Sequence, residues 1–289
     1  MITTPDLHVG HAVTLGPVTV FPVWTDATPL RGITTGTAAR VDVTELPSCP
    51  SVARLTVTNV GSTPALMLEG ELLEGGWQTR TLSCDLLLAP QDSAVVEVAC
   101  VEQGRWHGTD GHARRARRVS ASVQHKLRGD ETGRQHEVWE SVARLEHAAG
   151  PTVSTSFADH LDRLPDQGAA VRLLPGQTGV IVGIAGWPVT LELFGSPAAL
   201  SAHLAGILDA ARLDALLAGP AEPVPARRAR RFAAALSGLP LESAPVRAGD
   251  GHAVTASAVG LAARGLAAPG GTLVHLSALN LRHKLIGAA

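Results

Sequence analysis

Tyrosine is absent from the 289 residues, and aromatics of every kind make up only 3%. The core must therefore come from valine, leucine and alanine, which dominate a hydrophobic fraction of 45%. Lysine stands only at Lys126 and Lys284, so arginine carries the positive charge. Its planar fork suits bidentate contacts to carboxylate or phosphate, although a GC-rich genome also enriches arginine and alanine. The 24 basic and 26 acidic residues leave a net charge of -2. That balance argues against a general nucleic-acid coat or a membrane-surface protein. No run approaches the roughly 18 apolar residues that a membrane helix needs. The N-terminus lacks the basic start and apolar stretch of a signal peptide. Cys49, Cys84 and Cys100 are too few and too scattered for a disulfide framework or a CxxC zinc knuckle. These absences predict a cytoplasmic protein that binds no membrane and works in reducing surroundings. The GxSxG, P-loop, GxGxxG and HExxH spacings are also missing, so acyl hydrolase, P-loop nucleotidase, dinucleotide-binding and zincin readings have no support.

What is present is a run of short alternating segments. Strands are expected over 12–24 and 39–46. Leu55 and Val57 then alternate with Thr56 and Thr58 before a turn at Asn59-Val60-Gly61, and 65–72 forms a further strand. Segments 82–88 and 94–102 pattern as a hairpin about Pro90-Gln91-Asp92-Ser93. Setting Leu88 opposite Ala94 makes Cys84 and Cys100 buried diagonal neighbours, roughly 7–8 Å apart, too far for an easy disulfide. Residues 107–133 are polar, rich in His and Arg, and read as a mobile loop. Thr132 and Gln135 have capping-box spacing ahead of a helix with the stripe Val138, Val142 and Leu145, closed by Gly150-Pro151. Ser156 and Asp159 open a shorter helix.

Strands follow at 180–184 and 189–193, joined near Gly186. A helix starts at Ser196-Pro197, another spans 226–236, and 252–262 with 272–279 forms a hairpin about Pro269-Gly270-Gly271. Strands come in adjacent pairs and so do helices, without strict alternation. The expected fold is α+β: a mostly antiparallel β-rich N-terminal part (1–106), a central polar loop and helices (107–170), and a C-terminal α+β part (171–289), as separate domains or one integrated domain.

Two stretches could carry chemistry. In the first, Glu69, Glu71 and Glu74 precede the diglycine Gly75-Gly76 and then Trp77-Gln78-Thr79-Arg80. Three carboxylates so close could hold a divalent cation, magnesium or manganese, or act as acid or base if burial raises a pKa. A solvated strand end and loop is the plainer explanation. In the second, Glu102, Gln103, Gly104, Arg105 and Trp106 end a strand and offer a carboxylate, a guanidinium and an indole together, suited to a phosphate with a base or sugar. The plain alternative pairs Glu102 with Arg105 and buries Trp106. Cys100 sits within the apolar alternation and reads as a structural thiol. The run Arg114-Arg115-Ala116-Arg117-Arg118 could attract phosphates but has no interleaved aromatic, and reads as a solvated face.

Taken in order, Gly70-Glu71, Gly75 to Arg80, Cys100 to Trp106, Gln135 to Trp139, Leu193-Phe194-Gly195 and Leu273 to Ser277 resemble the ADP-ribosylglycohydrolase-and-rhodanese-phosphatase-associated protein domain family. The resemblance spans nearly the whole chain. Its most specific element is Val101-Glu102-Gln103-Gly104-Arg105-Trp106. Trp77 stands where the family usually has lysine, Thr79 where it has asparagine, and His136 where glycine is usual.

The resemblance implies association with RNA repair or an ADP-ribose-linked stress response, and one shared ligand site. Two functions from different classes follow. One is an enzyme on a phosphorylated sugar or nucleotide, such as an ADP-ribose derivative or an RNA end. Glu71 or Glu102 would be its base or metal ligand, with Gln78, Arg80, Gln103, Arg105 and Trp106 binding the ligand. The other is a non-catalytic nucleotide-, RNA- or partner-binding adaptor, acting as a homo-oligomer or with a partner enzyme.

Overall fold

A computed structural model describes residues 2–47, 50–165 and 171–287. The fold is α+β with mostly antiparallel sheets, as the pairing of its elements predicts. No helix among the described residues is long and apolar enough to cross a membrane. The chain divides into two compact units: one made of 1–31, 168–246 and 251–289, the other of 32–167 with 247–250. The first 31 residues thus fold with the C-terminal half, a division that a linear reading in three parts does not contain.

The first unit is built on a ten-stranded sheet. From one edge its path runs Ile2–Thr3, Pro240–Pro245, His252–Ala258, Leu261–Ala267, Leu273–Asn280, Trp187–Phe194, Gly179–Ile184, Val18–Thr25 and Leu7–Val9, with Val13–Leu15 also on Val18–Thr25. Phe21, Ile181, Leu191 and Leu276 pack with Ala229, Phe232 and Ala233 of the helix Ala226–Ala234. Ser196 opens the helix Pro197–Leu217 as expected: the Ala199 N–H donates to its Oγ at 3.2 Å, and proline takes the first turn. The stretch 252–262, expected as one strand, is broken at Val259-Gly260, where Gly260 has φ +80°. The expected turn about Pro269-Gly270-Gly271 joins Leu261–Ala267 to Leu273–Asn280.

The second unit contains a closed barrel of six strands in the order Arg80–Leu82, Ser93–Cys100, Arg54–Asn59, Val41–Thr44, Gly111–Arg118 and Glu71–Gly75. Beside it is a small sheet of Leu86–Leu88, Ala65–Met67 and Thr34–Thr35. Val43, Leu55, Val57, Leu73, Leu82, Val96 and Val98 form one core cluster with Met67, Leu86 and Leu88. Closure removes the free edges that an open sheet would expose.

Two expectations are corrected in this unit. The 82–88 and 94–102 segments are not one hairpin. Leu82 faces Val98, but Leu86–Leu88 leaves to pair with Ala65–Met67, and 93–97 pairs with 54–58. A period of two says which face is buried, not which strand lies alongside. Cys84 falls at the break between strands and is exposed, while Cys100 is buried. Cys49 lies outside the described residues. The segment 107–133 is also no mobile loop: Gly111–Arg118 closes the barrel and Ala121–Leu127 is a helix. Beyond it, Gly133 takes the cap position of the helix Arg134–Ala149, and Thr132 Oγ1 donates to Asp130 instead, at 2.8 Å. Gly150, with φ +90°, ends that helix, and Ser156 caps the next one by accepting from Asp159 N.

Leu82 is fully buried in the barrel core. Leu82→Ala is expected to lower unfolding stability by about 2–5 kcal/mol in urea melts; a loss under about 1 kcal/mol would show that the barrel core is not closely packed there.

Candidate functional site at one end of the barrel

Strand register decides which side chains enter the barrel. Leu82, Val98, Leu73 and Val43 lie in the core, and Arg80 continues the Leu82 face while pairing with both Cys100 and Leu73. His112 pairs with Val43 and shares its face, and Glu45 follows Val43 by two residues. The apolar core therefore gives way at one end to Glu45, Arg80, Cys100 and His112, all buried.

The diglycine makes room for this cluster. Gly75 and Gly76 both have positive φ, +87° and +57°. A Cβ on Gly76 would lie 2.1 Å from His112 Cε1, so no larger residue fits without moving the ring. Above them, Trp77 and Trp106 meet edge to face with centroids 5.5 Å apart. The Arg80 guanidinium lies 5.5 Å from the Trp106 ring centroid, within cation–π range. Trp106 is 44% exposed and forms the rim, whereas Arg80 is completely buried beneath it.

The polar groups here differ in how well they are satisfied. Arg80 Nε donates to Val52 O at 3.1 Å, but Nη1 and Nη2 meet no acceptor among the described residues. Glu45 Oε2, Gln78 Oε1 and Trp77 Nε1 are likewise buried without a partner there. Burial pushes the Arg80 guanidinium below its ordinary pKa and the Cys100 thiol above its own. Cys100 is therefore a protonated, inert thiol, as its place in the strand predicts.

His112 Nδ1 donates to Leu73 O at 3.2 Å, and Nε2 lies 3.3 Å from Glu45 Oε1. Burial pushes this imidazole down. With Nδ1 on a carbonyl, the other ring nitrogen faces the Glu45 carboxylate.

Glu102 and Arg105 are arranged in the opposite way. Glu102 Oε1 accepts from Arg105 Nε at 2.8 Å and Ser154 Oγ at 2.7 Å. Its Oε2 accepts from Thr79 N at 2.8 Å and Arg105 Nη2 at 2.6 Å. Arg105 donates its remaining protons to the carbonyls of Gly75, Gly76 and His107, so all five of its N–H groups are engaged. Burial alone would push the Glu102 carboxyl up, but the donors Arg105, Ser154 and Thr79 outweigh it and hold the pKa at about 2. A carboxylate held so low is a poor proton acceptor near neutral pH.

The other expected site residues are spread over both faces of the barrel wall. Glu71 is buried 2.7 Å from Arg114, and Leu68 N donates to its Oε2. Glu74 binds Arg117 on the outer face, and Glu69 lies 2.7 Å from Arg128. Glu69, Glu71 and Glu74, expected as cation ligands, are thus each neutralised by a different guanidinium and do not fit a shared metal ion. Among the described residues no group of His, Cys, Asp or Glu is placed to hold one.

Gln78 donates to Glu102 O at 2.9 Å, and Gln103 is exposed beyond the strand end. Glu102 and Arg105 line an outer cavity of about 360 Å³ with Glu74, Arg115, Arg117 and Asp162. Arg117 there is already paired with Glu74 and Asp162. Arg80 and Glu71 are not among that cavity's lining residues. Sequence reading missed Glu45, which has no local signal, and His112, whose alternation with Arg114 was hidden in a polar run. It also missed Gln135, whose amide accepts from Cys100 N at 2.8 Å and donates to Cys100 O at 2.9 Å, fastening the helix to the strand end.

Because the folded pKa of Glu102 is depressed, its stabilisation is present above the unfolded value near 4.3 and is lost as pH falls towards 2. Glu102→Gln is expected to lower stability by about 2–3 kcal/mol at pH 7. It should also flatten the fall in stability between roughly pH 5 and pH 2, measured by urea melts across that range. Parallel acid limbs in the two proteins would show that Glu102 carries no such load.

No curated protein matches the chain, and no solved structure matches it. The family model described as the ARG and Rhodanese-Phosphatase-superfamily-associated Protein domain matches residues 6–279. That span takes in the diglycine, the Glu102–Trp106 strand end, Gln135 and the last sheet strands, and the chain belongs to this family.

Proposed function

We propose that the barrel end of the second unit binds a small phosphorylated ligand, and that the chain works as a binding module. The ligand class is a nucleotide, an ADP-ribose derivative or the phosphorylated end of an RNA. One observation carries the reading: Arg80 is a completely buried guanidinium with two nitrogens lacking acceptors among the described residues, beside the exposed indole of Trp106. A phosphate oxygen reaching it would supply the missing acceptors as charge-assisted hydrogen bonds, and Trp106 would stack on the base or sugar. Glu71 and Glu102, both tied to arginines, support binding over acid–base chemistry. The family's association with ADP-ribosylglycohydrolases and rhodanese-phosphatases puts ADP-ribose first among ligands to try.

A second reading, an enzyme on the same ligand class, draws on the His112–Glu45 pair. A buried imidazole in contact with a carboxylate suits general acid–base work.

Titration calorimetry with ADP-ribose, AMP and a 3′-phosphorylated oligonucleotide tests both, together with product analysis. Saturable binding to at least one is expected, weakened at least about tenfold by Arg80→Gln, since a hydrogen bond to a charged group contributes roughly 1.5–3 kcal/mol. Trp106→Leu leaves the barrel core untouched and should weaken binding too, with the tryptophan fluorescence response to ligand reduced. Product formation abolished by His112→Asn would select the enzyme reading. Binding to none of the three, or binding indifferent to both substitutions, would overturn the site.

A further inference from the structure

We infer a second ligand site, in the first unit, for a nucleotide carrying two or more phosphates. It is a cavity of about 810 Å³, within the size range of small-molecule sites. Trp187, Arg227, Arg228, Arg231, Arg282 and Lys284 line it, and no aspartate or glutamate does. Glu222, beside Gly186, is not part of the lining. Three elements converge there: the helix Ala226–Ala234 brings the first three arginines, the start of the strand Trp187–Phe194 brings Trp187, and the segment after Leu273–Asn280 brings Arg282 and Lys284.

The charges oppose the local physics of the fold. Arg227 and Arg228 occupy the first turn of their helix, which contains no acidic residue. Cations there face the positive end of the helix dipole. None of Arg227, Arg228, Arg231, Arg282 and Lys284 makes an ion pair with a carboxylate among the described residues, whereas Arg105, Arg114, Arg117 and Arg128 of the barrel unit each do. Five mutually repelling cations around one concavity, with no acid in its lining, match a ligand that brings several negative charges. A single phosphate brings too few, and a di- or triphosphate brings enough.

The indole supplies the other half of the recognition. Trp187 is 51% exposed, and the Arg228 guanidinium lies 3.7 Å from its ring centroid while donating to Gly186 O at 2.6 Å. The stacked arginine holds the ring in place and keeps protons over for an anion. A planar surface beside polyphosphate-binding cations suits a nucleobase. Histidine and lysine residues of the barrel play no part, and the inference stands apart from the Arg80 reading.

Calorimetry of the full chain with ADP and with inorganic pyrophosphate, at low and at 0.5 M salt, tests it. ADP is expected to bind at low salt and weaken as salt rises. Arg227→Ala with Arg231→Ala should reduce ADP affinity at least tenfold; both side chains are exposed, and circular dichroism checks the fold. Trp187→Ala should weaken ADP several-fold but leave pyrophosphate unchanged. Arg80→Gln should leave this isotherm intact, which separates failure here from failure at the barrel. No saturable ADP binding, or ADP affinity unchanged in the double arginine variant, would overturn the site. So would a single-stranded oligonucleotide that binds through these arginines while ADP does not.

Discussion

The barrel end is held by one carboxylate. Glu102 takes four donors, from Arg105 twice, from Ser154 and from the Thr79 backbone, and so joins the start of one strand, the end of another and the segment before a helix. Arg105 extends the tie to the carbonyls of Gly75, Gly76 and His107. This knot ties the diglycine turn to the strand end that carries Trp106, alongside the bond from Gly76 N to Gly111 O at 3.1 Å. The most specific part of the family motif thus works as a brace, and the reactive-looking residues in it are the least available ones.

A similar logic runs along the barrel wall. The strand Gly111–Arg118 carries four arginines and would be an implausible barrel strand alone, but its neighbour Glu71–Gly75 supplies glutamates in register. Arg114 meets Glu71 on the inner face, and Arg117 meets Glu74 on the outer. The bulge between Arg114 and Arg118, with Ala116 at φ +53°, shifts the register along this strand. Buried pairs of this kind contribute little net stability compared with apolar packing, but removing either partner leaves a stranded charge, so they specify which strands lie together.

That pairing also explains what could be read from the chain. Helix ends were legible because caps are local: Ser196, Ser156 and Gly150 act where their spacing says. Strand faces were legible at Leu55, Val57, Val96 and Val98 because alternation is local as well. Strand partners were not, since Leu86–Leu88 fits two neighbours equally by pattern. The arginine strand looked like solvent because its counter-charges lie some forty residues away in sequence, at Glu71 and Glu74. The strand-end residues of the candidate site can be picked out from the chain, but their partners cannot. Glu102 and Arg105 were marked by chemistry and turned out to be saturated, while His112 and Glu45 depend on a barrel closure that no single segment encodes.

Saturation separates Arg105 from Arg80. A guanidinium has five donors in a fixed fork, so its partners can be counted. Arg105 fills all five within the protein. Arg80 fills one, in a completely buried position where an unfilled donor is costly. Methionine or leucine at this position would fill the space without that cost. The retained penalty is understandable if Arg80 is completed by something that is not part of the chain, with the exposed indole of Trp106 at its side.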